Sequence, residues 1–269
     1  MLQRLLNDWQ SESSQKEVQS YLRSGKPIQL ITIEPPLLYT LPTGTTPLIL
    51  RQTGSTHAYQ VGCMLNTIRS VTTSFPFTYS YLPPNDQSWY QPGYVIDILI
   101  EHTPGPTLRS LLQHCQPSWL LTVYQQILLA LEAAFYSFHF VHHQLDGNNI
   151  IMSQQRPVIV NFQSASMVVN NVMLSDGSVT NSINSPLYDP FSFLLRLMDE
   201  LQRQGNLDCL NCMIPLLQYF LKAPLVANAK LFNVIKRVTH DELGKLVIPD
   251  DQFDYQLLKK LVHSQKLAQ

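Results

Sequence analysis

The spacing of apolar residues changes character near residue 105. Before it, short apolar runs alternate with Pro and Gly; after it, apolar positions return every third or fourth residue. Leu2, Leu5, Leu6 and Trp9 recur at helical spacing and predict a short first helix, followed by a polar helix over 14–22 that Gly25 stops. Residues 28–33 and 47–51 read as strands, with Pro35-Pro36 and the stretch 42–44 as punctuation. Val61, Met64, Leu65 and Ile68 predict a helix over 59–68. A second pair of strands is expected at 77–81 and 94–100, separated by a Pro- and Asp-bearing loop.

Beyond Gly105 the expectation is helical. A short helix is predicted over 107–114 and a long one over 118–138, where Leu120, Leu121, Tyr124, Ile127, Leu128, Leu131 and Phe135 form a broad apolar face. Val158-Ile159-Val160 reads as a short buried strand, and the Ser/Asn-rich stretch 170–186 as an exposed loop. Helices over 191–201, 207–221, 227–238 and 256–263 complete this half. Strands first and helices later indicate an α+β fold. The predicted organisation is a small strand-rich part over 1–104, carrying an N-terminal helical extension, and a helical part over 105–269, joined near 103–106.

Composition narrows the class. The 269 residues are 45% apolar, enough to bury a sizeable core. Charged residues make up only 14%, and the formal net charge of -1 gives no general pull towards nucleic acid or an anionic membrane. A sparsely charged surface carrying aromatics, with Tyr79, Tyr81, Trp89 and Tyr90 read as exposed, suits protein binding. Trp9, Trp89 and Trp119 are read as packing residues. No apolar run approaches the roughly 20 residues needed to span a bilayer, and no secretory h-region is evident. Four cysteines (Cys63, Cys115, Cys209, Cys212) include one C-x-x-C, which reads as buried thiols on a helix face. Nothing suggests a disulfide framework, so the expectation is a soluble protein of a reducing, intracellular compartment.

The most informative stretch is Val141-His142-His143-Gln144-Leu145-Asp146-Gly147-Asn148-Asn149-Ile150. A histidine, a leucine three residues on and an asparagine before an apolar run match the layout H-R-D-L-x-x-x-N at His142, Leu145 and Asn149. His143 stands in place of Arg, and Gln144 in place of the catalytic Asp. A carboxamide does not ionise near neutral pH and cannot accept a substrate proton as a carboxylate does. Asp146 is the sole carboxylate of the stretch.

On these residues the chain resembles the eukaryotic-like protein-kinase superfamily, in the compact form found in large DNA viruses. Further pieces carry the resemblance in the right order. Val158 to Gln163 is similar to the strand and D-F-G, with Asn161 at the Asp position and Gln163 at the Gly position. Asp189, opening a predicted helix with Pro190, matches the acid that braces the catalytic loop. Ile98-Leu99-Ile100-Glu101-His102-Thr103-Pro104-Gly105 resembles the hinge, which puts Ile100 at the gatekeeper and turns the backbone of Glu101 and Thr103 towards an adenine. Arg51 falls where the strand Lys is usual, residues 58–69 offer no Glu for the ion pair, and 39–46 hold a single Gly44.

The resemblance implies a two-lobed kinase-like fold with a degenerate site, a pseudokinase. His142 and Asp189 would be structural; Asn149 and Asn161 would be the remnant metal ligands, neutral and therefore weak. ATP and Mg²⁺ would bind weakly or not at all, and the partner would be a protein: a kinase, a kinase substrate or a regulator. If viral, the chain would work inside the host cell. An active, atypical serine/threonine kinase is the alternative, with Asp146 as substitute base and Arg51 on a phosphate. Simpler readings stand beside these: Asn149 as turn chemistry, Arg51 as a strand-end residue, or an unrelated α+β binding protein with a chance match.

Overall fold

Ser55 ends a seven-residue strand and at once starts a helix: its backbone is extended (φ -105°, ψ 160°) and its hydroxyl accepts from the Ala58 amide at 3.1 Å. That N-cap is what lets strand and helix follow without a loop. The computed structural model describes residues 29–30, 37–40, 49–82, 95–175, 185–221 and 255–267. The helices expected at 2–9, 14–22 and 227–238, the glycine-poor stretch 41–46, Trp89, Tyr90 and residues 176–184 of the expected 170–186 loop lie outside the described residues. The elements are α+β, as the change of period predicts.

The chain divides into two compact units. The first holds residues up to Ser70, Phe75–Thr103 and Asn161–Gln163; the second holds Val71–Ser74, Pro104–Val160 and everything from Ser164.

In the first unit, β1 (Gln29–Leu30), β2 (Leu37–Thr40), β3 (Ile49–Ser55), β4 (Thr78–Leu82) and β5 (Val95–Glu101) form one antiparallel sheet in the order β1-β2-β3-β5-β4. Helix α1 (Thr56–Leu65) runs from β3 and ends in a 3₁₀ turn over Asn66–Ile68. Val61, Leu65, Ile68, Phe75, Ile98 and Ile100 build the core. Gly62 lets α1 lie close to β4, since a Cβ there would stand 2.2 Å from the Thr78 hydroxyl. Asn66 then grips the strand: its amide donates to the Thr78 carbonyl (2.8 Å) and its oxygen accepts the Thr78 amide (2.9 Å). Tyr79 is buried and Tyr81 is half-buried against the Tyr59 ring, 4.9 Å between centroids. This corrects the expectation of an exposed aromatic surface there; the β4–β5 register shifts between Thr78 and Ser80, which sets Tyr81 opposite Ile98.

In the second unit, α2 (Leu108–Leu111) precedes the long α3 (Pro117–Phe138), and α4 (Tyr188–Gln204), α5 (Leu207–Leu221) and α6 (Tyr255–Leu267) pack with it. Pro117 opens α3 at the first helical turn, where its missing N–H is no loss. α3 is long and apolar enough by length and composition to cross a membrane. Its apolar side chains are used in the core instead: Leu120, Leu121, Ile127, Leu128 and Leu131 are essentially inaccessible, each burial contributing about 2 kcal/mol. Its Glu132 forms an ion pair with Lys259 of α6 at 2.6 Å. Gly205, in a left-handed conformation (φ 74°), ends α4.

Two hairpins were not expected. β6 (Ile150–Ser153) and β7 (Arg156–Ile159) join through Gln154 (φ 49°) and Gln155 (φ 67°), and β8 (Met167–Val169) joins β9 (Val172–Leu174) through Asn170 (φ 51°) and Asn171 (φ 64°). Both are two-residue turns with two positive φ angles, the arrangement that suits the twist of a hairpin. Residues 170–174 are therefore hairpin rather than open loop.

Candidate functional site

The loop that follows α3 is held from beneath by one carboxylate. Asp189 sits in the first turn of α4 and is 3% exposed. Its two oxygens accept the amides of His142 (2.6 Å) and His143 (3.0 Å). Buried amides outside regular structure need acceptors, and a carboxylate can serve two at once. Burial lifts the Asp189 carboxyl to about 7, while the two donated N–H bonds pull it part of the way back. Tyr124 of α3 fixes the start of α4 by donating its hydroxyl to the Pro190 carbonyl at 3.0 Å.

The two histidine rings point to different anchors. His142 is wholly buried and its Nε2 lies 2.9 Å from the Val160 carbonyl. A carbonyl only accepts, so Nε2 carries the proton. Burial pushes the His142 imidazole down to about 4, and the Val160 carbonyl opposes that shift only in part, so the ring is neutral at physiological pH. His143 adopts φ 64°, unusual for a residue with a Cβ, and closes a three-residue turn in which the Gln144 amide donates to the His142 carbonyl at 2.8 Å. The conformation is held by the bond to Asp189 and by the ring, whose Nε2 lies 2.7 Å from the Ser166 hydroxyl. Ser166 is itself locked to Val141 by two backbone bonds of 2.8 and 2.7 Å.

The next six residues are organised differently. The Gln144 side chain is exposed. Asp146 Oδ1 accepts the amides of Asn148 (2.8 Å) and Asn149 (3.1 Å), closing a turn on the loop itself. The Asn149 side-chain amide donates to the Gln144 carbonyl at 2.7 Å, and the Asn149 backbone carbonyl accepts the Val160 amide at 2.9 Å. The Gly147 carbonyl takes the Arg109 amide at 3.0 Å, which ties the loop to α2. His142, His143, Gln144, Asp146, Asn149 and Asp189 thus belong to one connected network in the second unit.

The remaining predicted positions lie in the first unit. Asn161 has φ 67°, a region Asn enters more readily than most residues, and lines a cavity of about 20 Å³ with Gly54, Ala58, Thr78, Ile98 and Ile100. The Ile100 side chain is buried at this cavity. The Glu101 amide donates to the Phe77 carbonyl at 2.7 Å and so extends the β4–β5 pairing. The Glu101 carboxylate accepts from the Phe77 amide (3.0 Å) and from the Arg69 guanidinium (2.9 Å), a pair almost closed to solvent. Thr103 is half-buried and ends the unit. Arg51 pairs with Leu99, whereas the cavity-lining Ile98 and Ile100 pair with Gln52 and Leu50.

Sequence reasoning did not identify Ser166, Arg69 or Asn66, whose partners lie 23, 32 and 12 positions away. Only the Asx-type spacing around Asp146 left a local signal. Among the described residues, no three His, Cys, Asp or Glu side chains gather as a metal site.

No family model matches the chain. It is similar to the protein named Probable kinase 098L of Invertebrate iridescent virus 3, 30% identical over 149 residues. The match covers 46% of this chain and 28% of that protein, so the chain spans well under half of the relative's length. Among solved structures it has a likeness to the Cydia pomonella granulovirus kinase PK-1, at TM-score 0.44 and 7% identity, covering 56% of this chain and 57% of the other. The described elements themselves are of α+β type.

Proposed function

We propose that this kinase-like chain is a pseudokinase: a catalytically impaired relative whose work is to bind a protein, either an active kinase, a kinase substrate or a kinase regulator. One observation carries the reading. Gln144, a neutral and exposed carboxamide, occupies the position where a kinase places its base, inside a loop whose bracing by Asp189 is complete. Phosphoryl transfer depends on positioning and on charge stabilisation by metal and Lys. Here the bracing is kept and the charge is not.

The donor set supports the same conclusion about cofactors. Asn149 and Asn161 each offer an amide oxygen, which brings no charge to Mg²⁺ and makes a weaker ligand than a carboxylate. ATP with Mg²⁺ is expected to bind weakly or not at all. Asp146 is a poor substitute base because one of its oxygens already closes a turn. The competing reading, an active atypical serine/threonine kinase, draws on the likeness to a protein named as a probable kinase.

A thermal-shift titration with ATP and Mg²⁺, followed by phosphotransfer from labelled ATP on the same sample, separates the two. The expected result is no metal-dependent turnover. Turnover that disappears in Asn149→Ala would defeat the pseudokinase reading in favour of an active enzyme.

A further inference from the structure

Away from that loop, the second unit brings together two thiols from segments 94 residues apart. Cys115 lies between α2 and α3, and Cys209 lies in the first turn of α5. Their sulfurs are 3.4 Å apart, and both are free. Asn206 holds the two segments in place. Its amide group donates to the carbonyls of Leu112 (2.7 Å) and Cys115 (3.2 Å) and approaches the Cys115 sulfur at 3.7 Å, while its oxygen accepts the Cys209 amide at 3.2 Å. Cys115 is half-buried and stands between exposed His114 and Gln116; Cys209 lies fully buried behind it. The motif visible in the sequence, Cys209 and Cys212, is not the close pair, because the Cys212 thiol donates instead to the Cys209 carbonyl at 3.0 Å.

We propose that Cys115 and Cys209 form a peroxide-oxidisable dithiol, a modification site that locks α5 to the segment ahead of α3. A small hydroperoxide reaches the outer sulfur first. The Cys115 thiolate attacks a peroxide oxygen, the O–O bond breaks, and Cys115 becomes a sulfenic acid as hydroxide leaves. Cys209 then attacks the Cys115 sulfur, the S–OH bond breaks and water is released. Two thiols lose two electrons and two protons, and the peroxide is reduced to two waters. The sulfurs need only close from 3.4 Å to about 2.05 Å, the ordinary disulfide length. The hydrogen bond with the Cys209 sulfur, and then burial, hold the Cys115 thiol proton high, which makes the first step slow and dose-dependent; hydrogen bonds from Cys115 and Asn206 lower that of Cys209, which suits it as the resolving thiol.

The test uses the full reduced chain, hydrogen peroxide at graded doses, alkylation of remaining thiols, and non-reducing peptide mapping. The expected product is an intramolecular Cys115–Cys209 peptide, reversed by dithiothreitol, with a melting temperature raised by roughly 5 °C or more through closure of a long loop. Cys115→Ser should abolish the cross-link while Cys212→Ser preserves it, and the mapping on unaltered protein needs no variant to fold. Oxidation that stops at sulfinic acid, a Cys209–Cys212 bridge, or a bridge between molecules would each overturn the proposal.

Discussion

The two halves of the loop after α3 make opposite use of their side chains. Residues 142–143 keep two imidazoles and a carboxylate partner, all buried, although burial penalises the charged forms of His142 and Asp189. Residues 144–149 are more open, and three of their side chains are carboxamides whose protonation does not change. The buried ionisable groups hold backbone amides in place, and the open segment offers mostly carboxamides. The bracing of this loop is therefore separable from what its open side chains present.

The strongest way to break this contrast is Asp189→Ala. Two buried amides would lose their acceptor, and the expected loss is about 4 kcal/mol, read as a lowered denaturant midpoint with an unchanged m-value. An effect under 1 kcal/mol would mean the brace is dispensable.

The pH dependence sharpens it further. His142 has a folded value of about 4, below the usual imidazole range, so the unfolded chain takes up its proton first and stability falls as pH drops from about 6.5 to 4. Asp189 has a folded value of about 7, above the usual carboxylate range, so its contribution is full below about 4 and is lost as pH rises through 7. The two slopes oppose each other between pH 4 and 6.5. Asp189→Asn should remove one of them, leaving a variant that loses roughly 3 kcal/mol relative to the parent chain on acidification across that window. Denaturation curves at several pH values check it; parallel profiles for the two proteins would refute the assignment.

Asn149→Ala removes the bond to the Gln144 carbonyl and should cost about 1 kcal/mol in the same assay. Gln144→Asp is expected to do least, within about 0.5 kcal/mol in stability, because the side chain is exposed. On the proposed reading it should also leave phosphotransfer at background, since Asn161 still stands where an acid is usual; measurable turnover in that single variant would show that one carboxylate was all the loop lacked.

Much of the helical part was legible from spacing, because side-chain periodicity is local. α5 runs over the predicted 207–221, and α3 differs from 118–138 by one residue at its start. The hairpins were less legible. Gln154-Gln155 carries none of the usual Gly or Asn turn signal, yet both residues take positive φ because the β6–β7 pairing requires it. At the candidate site, the residue types at 142, 144, 149 and 189 could be read directly, since a motif is a statement about order and spacing. What those residues touch could not. Ser166 behind His143, and Arg69 on Glu101, are brought in by strand and helix packing from distant sequence. The register of Arg51 likewise depends on how β3 meets β5, a one-residue matter that no local pattern fixes.

The Asx turn at Asp146 has one more consequence. Its oxygen already orders the amides of Asn148 and Asn149, so the loop's lone anion works as masonry. Redirecting that carboxylate to any other task would loosen the very curve on which Asn149 rests.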